Sequence, residues 1–359
     1  MKTLDRYIVG EFLKLFIMLM VSLIGIYIIV DFFQRIRMFL SNDATFLQMF
    51  QYFLFLLPTV ISQMLPVSVL LSALLTFGIL SRNSEITAMK ANGVSLYRLS
   101  LSVILLSVLI AVATFVLTEY IVPATNERVK HIKYIDIQNR QSLGSFKNNE
   151  VWYKGEKGIY NFALVDTRTG TIKGATLHYL DESMNLLTRI DAREAQWKEG
   201  RWIFRDLLIT RFSDNGLPRI EHVPEKIIAL PEEPEDFTVV QKDSSEMGFV
   251  ELRNYIRKIS VEGYDATRYV TDLHGKIAFP VICVILAVLG ISFSIRSERS
   301  GGIAQSIGAG IVIGFSYWLL YAFTISLGHS GTLPPVLAAW MANIFFGAVA
   351  LFFLVKVRT

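Results

Sequence analysis

The chain has 359 residues, 52% of them hydrophobic, with a mean hydropathy of +0.44 and a formal net charge of +4. That balance excludes an ordinary soluble domain and places the chain in the membrane class, with room for several spans and a soluble unit. The small basic excess reads as loop charge at membrane surfaces rather than a nucleic-acid patch, and the single cysteine, Cys283, excludes an internal disulfide.

Lys2 and Arg6 precede the apolar run Phe12–Val30. The run is long enough to span, too long for a signal-peptide core, and has no small-residue cleavage site after it. It is the first predicted span. Asp31, Arg35 and Arg37 follow its far end. The second span lies in Phe46–Leu80, which exceeds a bilayer core at about 1.5 Å per residue. Pro58 and Pro66 are expected to kink it, or its first part to lie along the interface. Leu99–Val122 is the third span, closed by Pro123.

Between the second and third spans, SRNSEITAMKANGVSLYRL reads as a short helix over about residues 84–93. Ser84 is expected to cap its start and Glu85 to favour the positive end of its dipole. Gly93, after Asn92, supplies the left-handed residue that ends it. Ile86, Met89 and Lys90 fall at i, i+3, i+4, a mostly apolar face with a basic edge. Such a helix either rests on lipid headgroups or docks into a soluble partner and passes on its motion.

From Pro123 to Glu262 no apolar run is long enough to span. TNERVKHIKYI reads as a helical extension. VWYKGEKGIYNFALV, TIKGATLHYL and EAQWKEGRWIFRDLLITRF alternate apolar and polar residues, with a tight hairpin at Lys198-Glu199-Gly200. They predict a β-sandwich or jelly-roll-like domain. Leu230–Phe237 reads as an acidic linker, and Phe249–Ile259 as an amphipathic helix with Leu252, Tyr255, Ile256 and Ile259 on one face.

Three spans close the chain, near Ile277–Ile295, Gly302–Leu327 and Pro335–Val355. The expected fold is a membrane α-helical protein of six transmembrane helices with an inserted all-β, jellyroll-like domain. Its parts are 1–122 (three spans and the short helix), 123–265 (the β domain with flanking helical segments) and 266–359 (three spans). The amino terminus, the Ser81–Leu99 loop, the loop Arg296–Ser300 and the tail Lys356–Arg358 are all basic, and six spans put them on one side. By the positive-inside bias that side is cytoplasmic and the β domain is outside. Arg35 and Arg37 then lie outside, against the trend.

No Walker A, HExxH, CxxC or GxSxG sequence is present, and the histidines are scattered, so no catalytic centre, metal site or cofactor is expected. Energy for work against a gradient would come from a partner. Gly302, Ser306, Gly310 and Gly314 recur every fourth residue, a face that lets helices approach closely. Ala339, Asn343 and Gly347 repeat this more weakly. The face serves either packing within the subunit or a seam with a second subunit that opens and closes. Lys130 and Lys133, three apart on the extension, could form with Arg37 a basic collar that recognises phosphate, or simply snorkel at the interface.

LDRYIVGEF, SEITAMKANGVS and EYIVP resemble the lipopolysaccharide export permease family, the transmembrane subunits of the Lpt ABC exporter of Gram-negative bacteria. The likeness covers the whole chain, and LDRY with GTLPPVLAAW is more similar to the G-type than to the F-type permease. The resemblance implies an inner-membrane complex with a paralogous F-type permease, two copies of a cytoplasmic ATPase that binds the ATP, and a single-span protein with its own jellyroll. That complex passes lipopolysaccharide to a periplasmic β bridge. It implies that the helix at Ser84 is the coupling helix, with Glu85 meeting a basic residue of the ATPase. It further implies that Arg37, Lys130 and Lys133 meet lipopolysaccharide phosphates. Asp31 and Thr59 depart from the pattern, standing where G-type relatives carry lysine. The rival reading is an ABC subunit or membrane scaffold that moves a periplasmic domain without carrying lipid.

Overall fold

The computed structural model describes residues 2–138, 144–147, 150–155, 158–166, 169–181, 185–212, 217–230, 243–261, 265–296 and 303–356. The acidic linker after Leu230, the loop after Arg296 and the tail after Lys356 lie outside them. Six helical segments are long and apolar enough to cross a membrane. They comprise α1 (Lys2–Ser41), α2 (Phe46–Arg82), α4 (Leu96–Val116) with its continuation, α7 (Thr267–Arg296), α8 (Ile303–His329) and α9 (Pro335–Lys356). The connecting helix α3 is Glu85–Ala91. Six crossings bring both chain ends and α3 to one face, called here the terminal face. The β domain is inserted at the opposite face.

α2 runs unbroken through Pro58 and Pro66, starting at a capping box in which Thr45 and Gln48 bond each other's backbone. The third span does not end at Pro123. α4 passes into a π-helical turn, Leu117–Ile121, and then into α5 (Val122–His131) and a second π segment, Ile132–Ile137. The Val122 N–H bonds back five residues to the Leu117 carbonyl. Proline has no N–H and crowds the carbonyl four residues earlier. The π turn changes the bonding register at that point, and the helix continues. This 42-residue segment outreaches a bilayer core, so its second half stands towards the β domain.

α2 and α7 form the middle of the bundle. They are the two most buried spans, while α1 is the least. Small side chains are buried along both helices. Ser68, Ser72, Ala73 and Thr76 on α2 and Ala278, Cys283 and Ala287 on α7 are all fully buried. A Cβ on Gly290 would lie 2.8 Å from the Leu70 carbonyl oxygen and 3.3 Å from the Leu74 nitrogen, so here backbone meets backbone. α9 buries Ala338, Ala339, Ala342 and Asn343, and the Asn343 amide donates to the Ala278 carbonyl at 2.6 Å.

The inserted strands are β1 (Gly144–Lys147), β2 (Glu150–Gly155), β3 (Gly158–Asp166), β4 (Thr171–Leu180), β5 (Leu186–Lys198), β6 (Arg201–Arg211) and β7 (Arg219–Ile228). They pair in sequential order, all antiparallel, as one seven-stranded meander. The hairpin at Glu199-Gly200 is present, both residues having positive φ. The core holds Tyr160, Phe162, Leu177, Trp202, Phe204 and Leu207, and all its fully buried members come from the strands and Leu230. Among the described residues no helix contributes to this core, and the sheet buries it by folding over on itself. The pairing is that of a meander, with each strand beside its neighbour in sequence.

The line of folding is visible in the register. The pairs Ala163/Gly174, Gly174/Arg193, Arg193/Asp206 and Asp206/Pro224 all drop out of the ladder, a single transverse row across β3 to β7. Gly174 and Asp206 have positive φ. The inward alternation slips by one residue at the same row: Tyr160, Phe162, then Val165; Ile172, then Ala175; Ala192, then Ala195; Phe204, then Leu207. One extra residue per strand bends the sheet while both halves keep their apolar residues on the same core.

Gly290→Val is expected to prevent formation of a stable bundle, because the new side chain meets the α2 backbone. Gly310→Ala is expected to lower the melting temperature by only a few degrees, since its Cβ meets the mobile end of Leu71. Size-exclusion profiles and thermal unfolding of the two purified variants in mild detergent check this ordering.

Candidate functional site

At the terminal face, α3 is set into a plate made with the first turns of α1 and α4. Ser84 occupies the position before α3, but its backbone is left-handed (φ 60°) and its hydroxyl makes no cap bond. The expected serine cap is replaced by contacts of Glu85. One carboxylate oxygen of Glu85 accepts from the Tyr7 hydroxyl at 2.9 Å and the other from the Asn83 amide at 3.2 Å. Ile86 is buried in a cluster with Ile8 and Phe12 of α1, Leu80 of α2, and Leu96 and Leu99 of α4. Met89 packs on the edge of that cluster, and Lys90, at the rim of the same face, is exposed. Gly93 (φ 81°) ends the helix as expected: Gly93 and Val94 donate to the Lys90 and Met89 carbonyls, the paired bonds of a Schellman ending. Arg98 at the start of α4 grips Asp5 with both nitrogens, at 2.8 and 2.6 Å, and Ser102 donates to the same carboxylate at 2.5 Å.

At the β-domain face the three expected basic residues are dispersed. Arg37 is exposed near the end of α1. Lys133 lies over the Tyr134 ring, 4.6 Å from its centre, and donates to its hydroxyl at 3.3 Å. Lys130 turns inward, its ammonium 3.2 Å from Glu246, with both side chains largely buried. An open collar of three cations is therefore not what the fold builds. A second π segment begins at Ile132, between the two lysines, and each has its own partner, Glu246 for Lys130 and the Tyr134 ring for Lys133. Asp31 binds Arg35 at 2.8 Å, and Arg35 lies over Tyr52. Thr59 donates to Asn126 at 2.7 Å.

The chain leaving the β domain is anchored at a junction invisible to motif reading. The turn Ser244–Gly248 leads into α6 (Phe249–Val261). Glu119, inside the π turn, accepts from the Phe249 N–H at 2.5 Å and so satisfies the open end of α6. The Asn126 amide donates to the Ser245 carbonyl at 3.3 Å, and the Ser244 hydroxyl to Asp272 on α7 at 2.6 Å. His329 at the end of α8 lies 2.6 Å from the same carboxylate. Beside this junction is a cavity of about 280 Å³, lined by Thr59, Gln63, Asn126, Asp272, Lys276 and Tyr321 among others.

The small-residue face of α8 packs within the chain. Gly314 faces Val67 and Gly310 faces Leu71, both on α2. Ser306 lies near the start of α8, and Gly302 lies outside the described residues. The opposite face of α8, with Ile311, Val312, Phe315, Trp318, Leu319 and Phe323, is exposed.

Glu246 is the one titratable group of the junction with a large displacement. Burial pushes its carboxyl up to about 7, Asp243 adds to the rise, and the Lys130 ammonium pulls the other way. The folded chain holds this proton more tightly than an ordinary carboxyl near 4.5 does, so protonation favours the fold. The contribution, at most roughly 3 kcal/mol by linkage, is complete below about pH 4.5 and lost as pH rises through about 7. Thermal unfolding between pH 5 and 8 is expected to show this fall in the native chain and a flatter profile in Glu246→Gln.

The whole chain compares closely in layout with known permeases. It matches the family model described as the lipopolysaccharide export system permease LptF/LptG over residues 6–356. It is 24% identical to the lipopolysaccharide export system permease protein LptG of Haemophilus influenzae over 351 residues, 96% of either chain. It is 21% identical to LptG of Escherichia coli K12 over 360 residues, 98% of either chain. A match that begins in the first turn of α1, crosses the folded-over sheet and ends with α9 includes every element described above; the chain belongs to the LptF/LptG family of lipopolysaccharide export permeases.

Proposed function

We propose that the chain is the G-type transmembrane subunit of an ABC exporter that draws lipopolysaccharide from the inner membrane and passes it to a periplasmic bridge. The observation that carries this reading is the family match across the full length, with both most similar relatives above named LptG. In this reading the terminal face is cytoplasmic, which the basic residues Arg6, Arg82, Lys90 and Lys356 support, and the β domain is periplasmic. The chain is not an enzyme; ATP is hydrolysed by a separate cytoplasmic ATPase dimer of LptB type. A paralogous LptF-type permease, a single-span LptC-type jellyroll protein and an LptA-type bridge complete the system.

α3 is then the coupling helix. Its buried Ile86 seats it in the bundle, and its exposed side faces the solution where an ATPase would dock. Glu85 keeps lone pairs beyond those used by Tyr7 and Asn83 and would meet a basic residue there. An exposed pair contributes about 0.2–1 kcal/mol, and more once docking excludes water. Glu85→Ala is expected to weaken ATPase copurification and lipopolysaccharide release together while leaving the melting temperature nearly unchanged. Normal release by this variant would exclude the coupling role.

Lipid-headgroup contact falls to Arg37 and Lys133, which face outward or are half-exposed, while Lys130 joins only by leaving Glu246. Charge-assisted bonds to phosphate contribute roughly 1.5–3 kcal/mol each. Arg37→Ala with Lys133→Ala is therefore expected to reduce photo-crosslinking of lipopolysaccharide to the spans in an intact complex. Lys130→Ala is expected instead to lower thermal stability, because it strands the buried Glu246. Crosslinking at wild-type levels in the double variant would mean that both side chains merely snorkel.

A further inference from the structure

α1 is a helix of 40 residues, about 60 Å long at 1.5 Å per residue. Within the chain it is held at its ends. Ile8, Phe12 and Leu15 are buried near the terminal face, and Asp31 and Phe39 near the β-domain face, while no residue between Leu15 and Asp31 is buried. The helix has no short covalent link to α3. α2 and α4, in contrast, run into α3 through connections of a few residues. Any displacement of α3 therefore reaches α2 and α4 directly along the chain, but reaches the start of α1, at the same face, through side chains.

Two such contacts join α1 to α3, and a third joins it to the start of α4 beside α3. Tyr7 donates to Glu85 at 2.9 Å, the residue that opens α3. Ile8 and Phe12 share a buried cluster with Ile86, one residue further on. Asp5 is gripped by Arg98 through two parallel bonds, at 2.8 and 2.6 Å, with Ser102 as a third donor. A two-pronged guanidinium–carboxylate pair fixes direction as well as distance, which a single bond to lysine would not. Two of the clamp residues, Asp5 and Tyr7, lie two apart in the opening LDRY sequence, and neither faces the bundle core.

We propose that the first turn of α1 is a clamp, with Asp5 on Arg98 and Ser102 and Tyr7 on Glu85, that makes the whole of α1 follow the displacement of α3. Asp5 and Tyr7 are positioning residues. They touch neither lipid nor nucleotide, and they turn α1 into a lever whose far end carries the Asp31–Arg35 pair over Tyr52 and, two residues on, Arg37. The stretch between the two anchored ends has no fully buried residue and packs through partly buried Met20, Ile24 and Tyr27, so it tilts by shifting those contacts rather than by rebuilding the core. The proposal rests on the reading of α3 as the ATPase-docking helix for its role in transport, but the mechanical link itself is a property of this chain alone.

Two measurements test it. In the purified chain, amide exchange of Glu85–Ala91 is compared among the native protein, Tyr7→Phe, Asp5→Arg, Arg98→Asp and the double reversal Asp5→Arg/Arg98→Asp. Exchange is expected to quicken several-fold in each single variant and to return towards the native rate in the double reversal, which restores the pair with its charges exchanged. In the reconstituted complex, lipopolysaccharide released per ATP hydrolysed is expected to fall several-fold in the single variants, with the ATPase still copurifying, and to recover in the double reversal. Unchanged exchange and unchanged release per ATP in Tyr7→Phe and Arg98→Asp would overturn the clamp. Failure of the ATPase to copurify with the native chain would instead overturn the docking reading, while the exchange rates still decide the clamp.

Discussion

Everything in the membrane part depends on how closely α2 approaches α7. At Gly290 the α7 backbone comes within contact distance of the Leu70 carbonyl and the Leu74 nitrogen, with no side chain between them. Apolar surface gains little by leaving lipid for protein, so spans associate through close van der Waals contact and a few internal hydrogen bonds. The alanines and serines along this contact allow that proximity, and Asn343 with Tyr317 ties α9 and α8 to the same centre. Once the two helices are locked, the other four have only their remaining faces to offer to lipid or to partner subunits.

The charged groups at the two faces have different tasks. At the terminal face the pairs are partly exposed and directional, and they join elements that are distant in sequence: Asp5 with Arg98, Tyr7 with Glu85. At the β-domain face the charges are sequestered. Glu119 caps α6 and Glu246 holds Lys130, so the chain returning from the sheet is bolted to the long third helix rather than left as a tether. The bundle thus has a close-packed centre, one outer helix with no fully buried residue along its middle, and a β domain fixed to it by side chains as well as by covalent connections.

The sheet resolves a packing conflict of its own. The meander of seven strands has one apolar face, and among the described residues no helix covers it. A row of inserted residues, Ala163, Gly174, Arg193, Asp206 and Pro224, lets that face close on itself without turning any strand inside out. Pro224 has no N–H to lose from the ladder and sits on the edge strand, where this costs least.

By itself the sequence determined what local physics decides: six apolar runs of spanning length, alternating strands between the third and fourth, the Glu199-Gly200 hairpin and the left-handed Gly93 that ends α3. The family likeness was also legible there, because LDRY, SEITAMKANGVS and EYIVP are local strings. Even the fold line left a trace, the one-residue slip in alternation between Phe162 and Val165 or Phe204 and Leu207. Tertiary structure alone decided which side chains meet. Pro123 reads as a stop until a π turn upstream absorbs it, and Lys130 reads as an open cation until Glu246, 116 positions further on, pairs with it. Ser84 reads as a cap until Tyr7, 77 positions earlier in the chain, takes up Glu85. The stripe at Gly310 and Gly314 reads equally as a seam or as internal packing until α2 is seen against it. In each case the deciding partner lies far along the chain, and helical or strand periodicity carries no information about what stands across the gap.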